Sequence, residues 1–252
     1  MSKSSSKQYI IKKSVGIILY DKSGKNVLLV QKRHSYAYTD FVMGKYQKNN
    51  RRTLLASMNN MTIHEKLLLK SLNFEMMWYH LFLSSEKTSL YYRCLAKFTN
   101  SFLSKNIKFF KSILNGSTRS IDLIWEPPKG RISGDESNLS CAIRELKEET
   151  GILLNSYQMV KSKKIKKAII IDNIKYVIYY YVAKCREDIR PTYSINNPTQ
   201  AIEIAGSKWV PVKDLHMMTM INDIKQSVIS KYKKISNIKK DLNHNTVIDV
   251  LN

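Results

Sequence analysis

Cysteine is nearly missing from this chain: Cys94, Cys141 and Cys185 are the only three in 252 residues. An odd, scattered set excludes a disulfide framework and a zinc-type pair, and it points to a reducing compartment. Proline and glycine are also scarce, at 5 and 8 residues, and no proline falls between Tyr38 and Thr118. That stretch is therefore free of the strongest helix breaker. No uninterrupted apolar run reaches the length needed to span a bilayer. Met1 to Lys7 is polar and Ser-rich, without the apolar segment of a signal peptide, so we expect a soluble intracellular protein. The last deficit is acidic charge. There are 20 Asp and Glu against 42 Lys and Arg, a formal net charge of +22. Clustered cations gain affinity for polyanions by releasing counterions, so the imbalance favours nucleic acid as a partner. A Lys-rich proteome with solvating surface charge would give part of the same surplus, and charge alone does not decide between the two.

What is present suffices for a core: 43% of residues are hydrophobic, among them 15 Tyr, 7 Phe and 3 Trp. The length suits one α/β core with a large insertion. Ser14–Tyr20 and Val27–Val30 read as a strand hairpin across the turn formers Asp21 to Asn26. From about Tyr38 the apolar residues take helical spacing, as in Leu67, Leu68, Leu72, Met76 and Tyr79, and again in Tyr91, Leu95, Phe98 and Phe102. Asn115-Gly116-Ser117 marks the end of this helical insertion. Then come a short strand Leu123–Trp125, a loop, a helix Leu139–Thr150 closed by Gly151, and strands at Lys167–Ile171 and Lys175–Ala183 joined by an Asp172-Asn173 turn. Pro191 to Pro198 reads as loop and Ile204–Val210 as a strand. A basic helix, Asn222–Leu242, closes the pattern, with Ile224, Val228, Ile229, Tyr232, Ile235 and Ile238 on its apolar face. The expected division is 1–37, 38–119 and 120–252: a first part of the fold, the helical insertion, and the part that carries the chemistry.

That chemistry lies between Gly130 and Ile152, where a loop feeds a helix. Glu145, Glu148 and Glu149 stand at i, i+3 and i+4, so three carboxylates share one helix face. Three close like charges repel unless something neutralises them, and hard divalent cations with a preference for oxygen do so. Acidic residues at this spacing are usually a solvated face. Here, though, every fixed position of G-x5-E-x7-R-E-U-x-E-E-x-G-U (U aliphatic) is filled, from Gly130 through Glu136, Arg144, Glu145, Glu148, Glu149 and Gly151 to Ile152. The segment is identified as a Nudix box. The resemblance implies an α/β/α sandwich of the α/β class, interrupted near the N-terminus by the all-helical insertion, and hydrolysis of a phosphoanhydride with Mg²⁺ or Mn²⁺. It makes Glu145, Glu148, Glu149 and Gly130 metal-binding residues, and gives Glu149 and Arg144 catalytic roles. It also pairs Arg144 with Glu136 to orient helix and loop. A further carboxylate from outside the box is expected. Glu203 is the candidate, because Ala201-Ile202-Glu203-Ile204 with Trp209 resembles the stretch that carries such a glutamate in decapping members, both as ligand and as catalytic group. An ordinary exposed glutamate is the competing reading.

Beyond the box the chain resembles the viral Nudix decapping enzymes, of the African swine fever virus type and of giant viruses. The residues that carry this are Val30-Gln31-Lys32-Arg33, Asn59 to Glu65, Met77-Trp78-Tyr79-His80, Ile124 to Gly130 and Asp135 to Glu145. The resemblance implies removal of an m7GpppN cap from mRNA, with m7GDP and 5′-monophosphate RNA as products, and activity on diphosphoinositol polyphosphates besides. It further implies RNA held by both parts, a homodimer through the insertion, and action in the host cytoplasm with the virion as a second location. The charge agrees, because cations are spread over Lys12, Lys13, Arg51, Arg52, Arg93, Lys97, the run Lys161 to Lys167, and Lys231 to Lys240. Lys13, Arg93, Lys97, Lys129, Lys164 and Lys233 are the expected RNA contacts. Tyr36, Tyr38 and Trp78 are the aromatics considered for stacking on the cap, against core packing. Pro127-Pro128-Lys129-Gly130 also resembles dinucleoside tetraphosphate hydrolases. The alternative is therefore a diphosphoinositol or dinucleoside polyphosphate hydrolase with no RNA role.

Overall fold

The computed structural model describes residues 10–161, 164–171, 174–193 and 197–237. Strands β1 (Ile10–Tyr20) and β2 (Asn26–Lys32) are followed by helices α1 (Tyr36–Val42), α2 (Arg51–Asn59), α3 (Ile63–Lys70), α4 (Phe74–Phe82), α5 (Ser89–Phe98) and α6 (Ile107–Gly116). Strands β3 (Trp125–Glu126) and β4 (Lys129–Arg131) lead to helix α7 (Asn138–Thr150) and strands β5 (Tyr157–Met159), β6 (Ile165–Ile171) and β7 (Ile174–Cys185). Helix α8 (Pro198–Glu203), strand β8 (Ile204–Pro211) and helix α9 (Asn222–Asn237) complete the order. These elements group into two compact units, one within 1–31, 125–194 and 206–252, the other within 32–124 and 195–205.

The first unit is a mixed sheet with helices on both faces. Its strand order is β3-β2-β1-β7-β5, with β4 pairing β1, β6 pairing β7 and β8 pairing β2. β1 and β7 run parallel from the Ile10–Ile174 pair to the Tyr20–Lys184 pair. Alternation along β1 decides what each face meets, since successive side chains point to opposite sides. Val15, Ile17 and Leu19 pack with Cys141, Ala142 and Leu146 of α7. Ile18 and Tyr20 pack with Ile224 and Val228 of α9, and the Tyr20 hydroxyl donates to the Val228 carbonyl at 2.7 Å. Being buried on both faces explains why β1 reads as an apolar run rather than as alternating residues. The expected sandwich is therefore what the chain forms. Strands β4 and β5, three residues each, had no pattern of their own in the sequence.

The second unit is helical, and its core is aromatic. Phe41, Phe98, Phe102 and Phe110 interlock, with the Phe102 and Phe110 rings stacked 4.4 Å apart. One π turn, Thr99–Leu103, extends α5 and carries Phe102 inward. The expected stripe Tyr91, Leu95, Phe98, Phe102 thus faces the core, but of the stripe Leu67, Leu68, Leu72, Met76, Tyr79 only Leu68 and Leu72 pack against it, half-buried. Leu72 takes a left-handed conformation (φ 57°) between α3 and α4, and Asn73 caps a new helix by accepting from the Met76 N–H. The phase is reset there. Leu69, Met77, Trp78 and Leu81 are buried, while Leu67, Met76 and Tyr79 are about half exposed. No helix among the described residues is long and apolar enough to cross a membrane. The expected Asp172-Asn173 turn, Lys163 and the terminal helix beyond Asn237 lie outside the described residues, as do the side chains of Lys233, Lys234 and Ile235.

Candidate active site

Helix α7 is built to hold carboxylates against the sheet. The Ser137 hydroxyl caps its start by accepting from the Ser140 N–H. Gly151, at φ 71°, ends it with an N–H bond to the Lys147 carbonyl, a conformation that glycine adopts at little cost. Cys141, Ala142 and Leu146 anchor the inner face. That orientation carries Glu145 and Glu149 into the interior, at 6% and 2% exposure, and leaves Glu148 at the edge. One oxygen of Glu145 and one of Glu149 lie within 4.8 Å of each other.

Two backbone features of β4 complete this geometry. The Lys129 N–H donates to Glu149 Oε2 at 3.0 Å. Gly130, paired with Val15 of β1, approaches so closely that a Cβ there would lie 1.9 Å from the Glu145 carboxyl carbon. A side chain there would have to displace the Glu145 carboxylate.

Arg144 ties the box together. Its Nε and Nη2 hold both oxygens of Glu136 at 3.1 and 2.7 Å, and Nη1 donates to Glu145 and Glu148 at 2.8 Å each. Nη2 also reaches the Arg131 carbonyl. The hydrogen bonds from Arg144, helped by the Ser133 N–H, pull the Glu136 carboxyl down to about 2. The same partner keeps the guanidinium well above its ordinary value. Loop and helix are thus clamped by a bidentate pair, the strongest common form of charged hydrogen bond.

A cluster of carboxylate oxygens, two of them interior and one at the solvent edge, is a hard donor set of the kind that Mg²⁺ or Mn²⁺ takes. Glu145, Glu148 and Glu149 suit such an ion, and the bare backbone at Gly130 leaves room for the Glu145 carboxylate. Glu203 is exposed at the end of α8, in the helical unit.

The expected RNA contacts divide. Lys13, Arg93, Lys97 and Lys164 are exposed. Arg93 and Lys97 lie one turn apart on α5, and Lys164 sits over the Tyr181 ring at 4.8 Å. Lys233 falls among the side chains outside the described set. Lys129 is corrected: it is 9% exposed, and its ammonium donates to the buried Glu126 at 2.8 Å. Its charge is spent inside the loop that enters the box. Glu126 was not singled out in the sequence, although opposite charges at i and i+3 were there to be read. Trp78 and Tyr38 are core residues at 5% and 0% exposure, whereas Tyr36 is exposed.

The NUDIX domain pattern matches residues 113–232. The mRNA-decapping protein g5R of African swine fever virus (isolate Warthog/Namibia/Wart80/1980) is 36% identical over 208 residues, covering 79% of this chain and 85% of that one. A relative in Acanthamoeba polyphaga mimivirus, also named for mRNA decapping, is 27% identical over 210 residues, covering 72% of this chain and 57% of its own. A solved Ap4A hydrolase of C. elegans is 15% identical, with a TM-score of 0.43, covering 91% of this chain and 98% of that one.

Proposed function

The chain belongs to the Nudix family of hydrolases, and on that premise we propose that it removes the m7GpppN cap from RNA, releasing m7GDP and 5′-monophosphate RNA. The observation that carries this reading is kinship, across insertion and box alike, with viral proteins named for mRNA decapping. The +22 charge supports it, because a long polyanion rewards many dispersed cations and a small nucleotide needs few.

Mg²⁺ or Mn²⁺ is the proposed cofactor, held by Glu145, Glu148, Glu149 and the Gly130 backbone, with Glu203 as a further carboxylate. A divalent cation bound there supplies Lewis-acid polarisation of the phosphoanhydride and makes a water acidic enough to act as nucleophile. In this reading Glu149 and Glu203 are the carboxylates nearest the reaction, and Arg144, clamped to Glu136, keeps α7 in register with the loop. RNA binding is assigned to Lys13, Arg93, Lys97, Lys164 and Lys233. Half-exposed apolar side chains on the helical unit, among them Leu67, Met76, Tyr79 and Tyr92, favour a homodimer through the insertion. Diphosphoinositol polyphosphates are proposed as further substrates, and the host cytoplasm, with the virion, as the place of action.

Product analysis decides the matter. Cap-labelled RNA incubated with the protein and Mn²⁺ should yield m7GDP, alongside a parallel reaction on a diphosphoinositol polyphosphate. If the inositol substrate is cleaved and the RNA is left intact, the RNA reading fails and the small-substrate alternative stands.

Arg93→Gln combined with Lys97→Gln should weaken RNA binding and flatten its salt dependence. Two lost phosphate contacts reduce the slope of log K against log salt by about 1.4 for a single strand. An unchanged slope removes this pair from the RNA path.

A further inference from the structure

Three of the stretches behind the viral resemblance have no part in the box, yet the helical unit brings them together. Arg33, just past β2, His64 in the first turn of α3, and His80 in α4 line one cavity of about 380 Å³, together with Glu65 and Leu123. The His80 ring lies 5.0 Å from that of His64 and 4.7 Å from that of His34 behind it. Burial first, then the neighbouring His64 and Arg33, pushes His80 down to about 4. Burial, then His80 and Arg33, pushes His34 down to about 3. His34 and His80 are therefore neutral near pH 7, while Arg33 places a permanent cationic charge on the cavity wall.

Among the described residues that charge has no counter-ion. Arg33 Nη1 donates to the Ala201 carbonyl at 3.1 Å, while Nε is buried and, among the described residues, has no partner; the same holds for His80 Nδ1. The nearby carboxylate is already engaged. Glu65 accepts from the Ser35 N–H and hydroxyl at 2.8 and 2.7 Å, and from the Thr62 N–H at 2.8 Å as half of a capping box. A buried charged donor left without an acceptor is costly to a fold. A ligand that supplies the acceptor repays that cost, and an anionic oxygen does so best. The volume is about a dozen times the share of one water molecule, far more than a bare oxyanion fills, and it stands at the lower end of small-molecule pockets. Imidazole faces and Leu123 offer the flat, largely apolar wall on which a nucleobase stacks.

We propose that this cavity is a nucleotide-binding subsite of the helical unit, with the phosphoryl group on Arg33 and the base against His64, His80 and Leu123. The inference stands independently of the capped-RNA reading, because the site shares no residue with the box and is probed with a mononucleotide.

The test uses the full chain. GMP, guanosine and inorganic phosphate are titrated while the side-chain ¹H–¹⁵N signals of His64 and His80 are followed by NMR and affinities are taken by calorimetry. GMP should shift both imidazoles saturably, and guanosine and inorganic phosphate should each bind at least about tenfold more weakly. Arg33→Gln and His64→Ala should each lower GMP affinity by about the same factor. His64 is exposed and its side chain makes no hydrogen bond among the described residues, so its variant remains informative if loss of the Arg33–Ala201 bond disturbs folding. Heat without imidazole shifts, guanosine or phosphate binding as tightly as GMP, or undiminished affinity in His64→Ala would each overturn the proposal.

Discussion

Glu149→Gln is expected to lower kcat by about 10³-fold while leaving the fold almost untouched. Glu149 is 2% exposed, and its Oε2 accepts the Lys129 N–H at 3.0 Å. Glutamine has the same shape, and its amide oxygen keeps that bond, so the main change is the loss of charge. Losing one anionic ligand forfeits several kcal/mol of the charge stabilisation that a bound cation supplies, at about 1.36 kcal/mol per decade of rate. The matching change at Glu148 should cost less, because that side chain is 37% exposed and shares its charge with Arg144 at 2.8 Å. Single-turnover rates on capped RNA, with Mn²⁺ affinity and melting temperature measured beside them, separate the two. Should Glu149→Gln hydrolyse at wild-type rate with Mn²⁺ affinity intact, the carboxylate cluster is not the metal site.

How much of this was legible before the fold was known depends on what kind of spacing carried it. Glu145, Glu148 and Glu149 were legible because their arrangement is local: one helix, three positions, one face. The Arg144–Glu136 pair also follows from the filled box pattern, and the geometry supplies its two-pronged form. The stripe from Leu67 to Tyr79 misled because periodicity counts residues along one continuous helix, and a left-handed Leu72 splits that stretch in two. Lys129 misled for a different reason. A lysine in a basic chain reads as surface charge, and only the tertiary position of Glu126 turns it inward. The cluster of Arg33, His64 and His80 joins three distant stretches, so no pattern along the chain could reveal it. Local order is read from sequence far better than the meeting of remote segments.

Gly130 was legible as a box position, but the reason for it is the meeting of β4 with α7, and it carries the other large effect. Gly130→Ala should cut kcat/KM by about 10²-fold or more, the usual penalty for displacing a reacting group by an ångström. An added Cβ would stand 1.9 Å from Glu145 Cδ and 2.1 Å from each carboxylate oxygen, well inside contact distance. Neither side yields easily. Glu145 is 6% exposed and bonded to Arg144, while Gly130 is fixed by its pairing with Val15 and by the bond from the Ile17 N–H to the Pro128 carbonyl. Overpacking of this kind costs about 1–3 kcal/mol in stability, so the melting temperature should fall along with activity. Gly206→Ala is the control, since a Cβ there meets nothing within 4 Å. Mn²⁺ titration should show weaker binding in the Gly130 variant and none of that loss in the Gly206 variant. Wild-type activity in Gly130→Ala would mean that β4 and α7 do not need this close approach, and the metal-site geometry drawn from it would have to be abandoned.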